Sequence, residues 1–464
     1  MHDLLGVVHS VSNAITRLYV EDCREARSPL RFAAHELALP ETYAQSYGKL
    51  LLDRPLFVPE QEIAGFAEDL ARVFSIMVSL PDRLFGGDLR AYCAALGIQD
   101  CLAELMCHGP QEPPPLHARA DAYHDGDSFK LLELNVGSEL GGTDAAQMNR
   151  AFLRVPAFAA FAERHELGYV DTTARVAKAL RRVAETVTTD EPVIALVEST
   201  GGLAAHEHVF AAVREAMLDH GVDLMLGEIH ELGERNGKIT LRGAPVDVIL
   251  RYFVASELVG DPDGKHMVDL LTRAHADGRT VLFTPLSGAA FASKGTLALL
   301  HDPHVRKAFT AAERVVVDRV VPWTRLLGAH RQEAGDHAEL LDRCRADREN
   351  LVLKPGIGYS GVGTVVGHEA TDEQWQQALR DSGSADHVVQ RRVRAVGEPV
   401  VNSDTGAVED WVANWGVFVD LDGYAGGFVR ALKAVDGAVV SYSNSGTRGA
   451  CVFTAPASRK DRAE

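Results

Sequence analysis

Six cysteines in 464 residues, none in a CxxC pair and none at zinc-site spacing, are too few and too scattered for a disulfide framework or a structural zinc cluster. Cys93, Cys101 and Cys107 fall on an apolar stretch with helical spacing, which predicts buried free thiols and, by default, a reducing cytoplasmic compartment. Basic residues are scarce as well: 47 Lys and Arg stand against 65 Asp and Glu, a net charge of −18. That balance argues against a general nucleic-acid or anionic-membrane surface, while a local basic pocket for a nucleotide remains compatible with it. No apolar run approaches the ~20 residues that span a bilayer. The opening MHDLLGVVHSVSNAITRLYVEDCRE has neither a basic leader nor a small-residue cleavage site. What remains is an ordinary globular composition, 46% hydrophobic and 24% charged, on a chain long enough for two or three domains.

The densest polar pattern is HARADAYHDGDSFKLLELNVGSELGG, residues 117–142. Two alternating runs, 117–123 and 129–135, flank the loop Gly126-Asp127-Ser128, and a hairpin across that loop sets Asp121 opposite Glu133 and Arg119 opposite Asn135. Two carboxylates and an amide oxygen on one face repel one another unless a cation joins them. Hard oxygen ligands of this kind suit Mg²⁺ beside substrate phosphates. A lone hairpin of this composition is also compatible with a solvated surface, Leu132 and Leu134 facing inward.

Upstream, residues 1–108 are mostly helical in pattern, with Pro59 near the start of a long helix and Pro81 near its stop. GPQEPPPLH breaks the chain before the hairpin, and a helix is expected over about 143–161. Strands alternating with helices over 190–285 indicate an open α/β sheet, with Glu198 and Arg251 near strand ends, where such sheets gather ligands. Arg251, inside VDVILRYFV, needs an anionic partner if buried. LVLKPGIGYSGVGTVVG, 351–367, is strand, Gly-rich turn, strand, carrying Lys354, Gly358, Ser360, Gly361 and Gly363. Backbone N–H groups of such a turn close over phosphates. It is neither a Walker A loop nor a Rossmann fingerprint, because it leads back into a strand. HVVQRRV, 387–393, follows as an apolar strand whose backbone can meet an adenine edge.

The order Lys, Gly-rich hairpin, helix, apolar strand, with the acidic hairpin more than two hundred residues earlier, resembles a circularly permuted ATP-grasp ligase of the glutathionylspermidine synthetase type. The likeness is most specific at Arg119-x-Asp121 followed by Glu133-x-Asn135. It implies an α/β fold of α+β subdomains clamping ATP, with Asp121, Glu133 and Asn135 binding Mg²⁺ (two ions) and Arg119 and Arg430 serving catalysis. It also implies that Lys294, Lys354, the Gly-rich turn and Val389-Gln390-Arg391-Arg392 hold the nucleotide, the family's usual Gln-Glu being Gln390-Arg391 here. Ser138, Glu198 and Arg251 then face substrate, and Asn444 completes a phosphate or metal shell. The implied division is a helical region to 110, the metal-binding hairpin and part of the core over 111–190, a preATP-grasp-like substrate-binding unit over 191–286, the nucleotide lid and core over 287–455, and a frayed tail.

The expected activity is ATP-dependent joining of a small carboxylate, such as an amino acid or peptide, to an amine through an acylphosphate. A non-catalytic nucleotide-binding module and a small-molecule kinase are the alternatives. Neither nucleic acid nor membrane is an expected partner, and the sequence is silent on oligomeric state.

Overall fold

The computed structural model describes residues 14–109, 112–328, 334–358, 361–382 and 387–456, so the expected frayed tail from 457 onward lies outside the described residues. Helical segments Ala14–Arg24, Pro29–Glu36 and Glu41–Tyr47 lead to strand β1 (Leu56–Pro59) and the long helix Glu60–Phe85. Pro81 does not stop that helix. It lies inside the last turn, and the stop falls at Gly86, whose φ of 62° reverses the chain and whose N–H caps the Pro81 carbonyl. Ile63, Phe66, Leu70, Val73, Met77 and Leu80 form its buried stripe. Of the three cysteines expected to be buried, Cys93 is, Cys107 is half-buried and Cys101 is exposed.

The hairpin β2 (His117–His124) and β3 (Phe129–Val136) comes next. The single helix expected over 143–161 is two, Ala146–Arg154 and Pro156–Arg164. Pro156 supplies no N–H to continue the first, and Val155 before it is extended. A parallel sheet follows, built from β4 (Ile194–Glu198), β5 (Leu224–Glu228), β9 (Val248–Arg251) and β10 (Val281–Phe283) in the order β10-β9-β4-β5. A small three-stranded ribbon of β6 (Leu232–Arg235), β7 (Lys238–Leu241) and β8 (Ala244–Pro245) is inserted before β9. This is the α/β unit expected over 190–285, its strands buried on one face by the helices Thr172–Ala184 and Glu207–Leu218 and on the other with the helix Gly264–Ala276.

The remaining strands make two further layers. β11 (Thr324–Leu326), β12 (Leu351–Pro355), β13 (Val365–Val366) and β14 (His387–Arg391) form an antiparallel sheet in the order β11-β14-β12-β13. Trp375, from the helix Asp372–Ser382, is buried with Leu351, Leu353 and Val389 in a core of its own beside that sheet. β15 (Gly397–Val401), β16 (Val408–Asp420), β17 (Gly423–Lys433) and β18 (Arg448–Ala455) complete the central seven-stranded sheet, ordered β1-β18-β17-β16-β2-β3 with β15 also on β16. The hairpin therefore sits at one edge and β1 at the other, parallel to β18. Gly426 and Gly427 lie within β17, and the reversal from β16 falls at Leu421-Asp422.

Candidate active site

β2 and β3 pair in the expected register, Asp121 opposite Glu133 and Arg119 opposite Asn135. One feature was not legible: a bulge after Asp121 inserts Leu132 into β3, and Leu132 lines a cavity beside Glu133 instead of packing inward. On the far side of β2, Gly416 of β16 lies opposite Asp121, and Asn414 pairs with Arg430 of β17. Arg430 and Arg119 thus converge on Asp121. The Arg119 Nε donates to Asp121 Oδ1 at 3.0 Å, and Arg430 donates to Oδ2. Burial pushes the Asp121 carboxyl up, but the two guanidiniums outweigh it and hold the group down at about 2. Both guanidiniums also lie over Phe428, 5.5 and 5.6 Å from its ring centroid.

Glu133 finds its counter-charge elsewhere. Lys294 opens the helix Lys294–Leu300, and its Nζ lies 2.9 Å from Glu133 and donates to the Gly358 carbonyl at 3.2 Å. Lys354 donates to Gln390 Oε1 at 2.8 Å, which joins β12 to β14. Burial lowers the Lys354 ammonium to about 8, with Glu133 opposing the fall and Lys294 adding to it. These groups line one cavity of about 600 Å³ between the hairpin and the β11–β14 sheet. Asp121, Glu133 and Arg430 form one wall, and Lys294, Lys354, Gly358, Gly361, Gln390, Arg391 and Arg392 the other. Gly363 belongs to the same turn, with φ of 76°, and Ser360 lies outside the described residues. Val389 is not on the cavity surface: it is fully buried in the core of its sheet. Alternation along β14 sends Gln390 to the cavity and Val389 away from it.

Arg119 and Asn135 lie further along the same face of the hairpin, where a second cavity of about 280 Å³ adjoins Glu133 and Arg430; the other face, through Ala118, Ala120, Ala122, Leu134 and Val136, is packed in the core. The side chains of Glu133 and Arg430 thus stand between two cavities over one face of the sheet and line both.

The three substrate candidates are placed differently. The Ser138 hydroxyl lies 2.7 and 2.8 Å from the carbonyl oxygens of Arg251 and Phe283 and accepts the Thr284 N–H, so it ties the hairpin to the ends of β9 and β10. Arg251 is 1% exposed and has the partner its burial demands: Glu139 at 2.6 Å, with the Thr284 carbonyl at 3.0 Å. Glu139 itself was missed, because a Glu after Ser138 in a turn has no periodic signal. Glu198 accepts the Ser199 N–H at the end of β4, is lifted by burial, and lines neither cavity. Asn444 closes a local turn, accepting the Gly446 N–H, and lines neither cavity; Ser441 lines the larger one instead. Asn414, whose buried Oδ1 has no hydrogen-bond partner among the described residues, is a further polar group on the larger cavity.

Among the described residues no three Asp, Glu, His or Cys side chains are grouped so as to hold a metal unaided. Glu133 and the Asn135 amide nevertheless fit Mg²⁺ of the kind that takes one or two protein oxygens and completes its shell with phosphate and water. Asp121, gripped by two arginines, retains lone pairs for such an ion, since a carboxylate offers about four.

No protein-family model and no curated protein sequence matches this chain. Its mixed α/β fold does have a solved counterpart. A glutathione synthetase-like effector from Globodera pallida, solved in its apo form, superposes with a TM-score of 0.59 over 96% of this chain and 99% of that one, at 12% identity. A protein assigned as a gamma-glutamylcysteine synthetase from Methylobacillus flagellatus, also 12% identical, gives a TM-score of 0.43 over 82% and 87% of the two chains.

Proposed function

We propose that this protein is an ATP-dependent carboxylate–amine ligase on a circularly permuted ATP-grasp fold. The observation that carries the reading is the row of charges on one face of the hairpin: Asp121 and Glu133 face Lys294, Lys354 and the Gly-rich turn across one cavity, while Glu133 and Arg430 are shared with a second. ATP occupies the larger cavity, its adenine against β14 and its phosphates between the two lysines and the 356–363 turn. When bound with the nucleotide, Mg²⁺ held by Asp121, Glu133 and Asn135 neutralises charge on the phosphates. The 191–286 unit bears on the substrate side indirectly, through the buried Arg251, which holds Glu139 beside Arg119 and Asn135.

Phosphoryl transfer to a carboxylate brings two anions together, and the chain's answer is a ring of fixed cations. Arg119 and Arg430 are held rigid by Asp121 and by Phe428, so they meet the charge on the transferred group without reorganising. A carboxylate oxygen attacks the γ-phosphorus and ADP leaves; the neutral amine then attacks the acyl carbon, phosphate leaves, and the nitrogen loses a proton. No protein nucleophile is needed. The Gly-rich turn serves as the lid that keeps water from the acylphosphate.

An ADP-release screen across amino-acid and dipeptide acids with a panel of amines tests the proposal. ADP and phosphate should appear only when acid and amine are both present, together with a product of amide mass. A phosphorylated acid as the sole product would reassign the site to a kinase. ADP binding without turnover across the panel would favour a non-catalytic module.

A further inference from the structure

The second cavity carries a feature that phosphoryl chemistry does not require. Besides Arg119, Glu133 and Arg430 it is lined by Tyr43 and Tyr47 of the helix Glu41–Tyr47, by Asp144 after the hairpin, and by Tyr442 after β17. Asp144 is 2% exposed, and its Oδ2 has no hydrogen-bond partner among the described residues. Burial lifts this carboxyl to about 6, and no neighbouring cation offsets the rise. At neutral pH it is therefore a buried anion lacking a counter-charge, a costly arrangement unless a ligand supplies one. Three tyrosines line the cavity with it: Tyr43 and Tyr47 lie 4.9 Å apart between centroids, and the charge of Asp144 bears on Tyr43, Tyr47 and Tyr442 alike. A buried carboxylate sharing a cavity with electron-rich aromatic rings suits an ammonium group.

The other end of the cavity has the opposite preference. Arg119 and Arg430 stand there, and guanidiniums attract a carboxylate and repel a second cation. We propose that this cavity binds a zwitterionic acid, an amino acid or a peptide with a free amino group, its ammonium against Asp144 within Tyr43, Tyr47 and Tyr442 and its carboxylate toward Arg119 and Arg430. The orientation toward the phosphoryl group rests on the ligase reading; the ammonium subsite rests on Asp144 and the tyrosines. A protonated amine has no lone pair, so the group held at Asp144 belongs to the acyl donor and not to the attacking amine. The N-terminal helical region then has a part in the site, as the source of two of the three tyrosines.

Calorimetric titration of the full chain tests this, with the probes being unmodified α-amino acids, ω-amino acids of two to six carbons, their N-acetyl derivatives, the matching diamines and, separately, ADP. At least one amino acid should bind, its N-acetyl form and diamine at least tenfold more weakly, and Asp144→Asn should weaken it at least tenfold while ADP affinity stays within twofold. Tyr442→Leu, at a partly exposed position, should give a smaller loss and guards against a folding defect in the first variant. Equal binding of N-acetyl forms, undiminished binding by Asp144→Asn, or no binding by any amino acid overturns the subsite. Failure of ADP to bind while an amino acid still does would strike the nucleotide reading and leave the subsite supported.

Discussion

Asp121 and Glu133 stand directly opposite each other on paired strands, yet their charges are answered from different parts of the chain: Asp121 by Arg119 and Arg430, Glu133 by Lys294. Each carboxylate therefore has a separable role. Converting Glu133 to Gln keeps the shape and removes the charge that Lys294 and a metal would share. Under the ligase proposal, acid- and amine-dependent ADP release should fall about 10²–10³-fold, the range seen when one preorganised electrostatic group is lost. Turnover within a few-fold of the unaltered protein would remove Glu133 from the site.

Arg251 joins the α/β unit to the segment after the hairpin through Glu139, while the Phe253 and Thr284 carbonyls of its own unit fix its guanidinium. Replacing it with Met strands the Glu139 carboxylate, and breaking a buried pair by removing one partner costs about 3–5 kcal/mol. Urea unfolding should register that loss with no ligand present. A destabilisation below about 1 kcal/mol would mean that the pair is solvated and that Arg251 is available to substrate alone.

At Gly361, φ is 72° and an added Cβ would lie 2.8 Å from Val439 Cγ1. Gly361→Ala is strained on both counts, with the first alone costing about 1–2 kcal/mol. Since the neighbouring Val362 is exposed, the expected consequence is weaker ADP binding with a nearly unchanged melting temperature. Isothermal titration beside a thermal scan separates the two effects.

The pH dependence of stability should carry the mark of Asp144. Its folded value of about 6 lies above that of an unfolded chain, so the folded state binds more protons between the two values. Stability from this group therefore falls as pH rises from about 4 to about 6 and stays low above that, by roughly 3 kcal/mol. The facing groups, Tyr43, Tyr47, Tyr252 and Tyr442, are neutral throughout this window. Asp144→Asn should be the more stable protein at pH 7.5 and should lose that slope in urea titrations at stepped pH. A less stable Asn variant would contradict the buried-anion account.

The hairpin was legible because alternation and a short Gly-containing loop fix its register, and the α/β unit because its strands read as unbroken apolar runs. The bulge at Leu132 was not, since one extra residue leaves no compositional trace. Nor was the pairing of β1 with β18, which joins residues almost four hundred positions apart in sequence. Val389 and Gln390 were read together as one stretch, yet pleating sends them to opposite faces of β14, a distinction that periodicity alone would have allowed. Tyr43, Tyr47 and Asp144 escaped notice because the closeness of a helix near residue 45 to a turn near 144 is tertiary information.

The position of Glu133 and Arg430 on a partition used from both sides limits how such a protein can change. Altering either residue to suit a new acid also disturbs the chamber proposed for the nucleotide, so the partition is fixed by two demands at once. The far wall of the smaller chamber, drawn from the helix at 41–47 and the loop at 442, is under no such double constraint. Divergence in what is recognised would be expected to accumulate there, at the chain's periphery, around an unchanging hairpin.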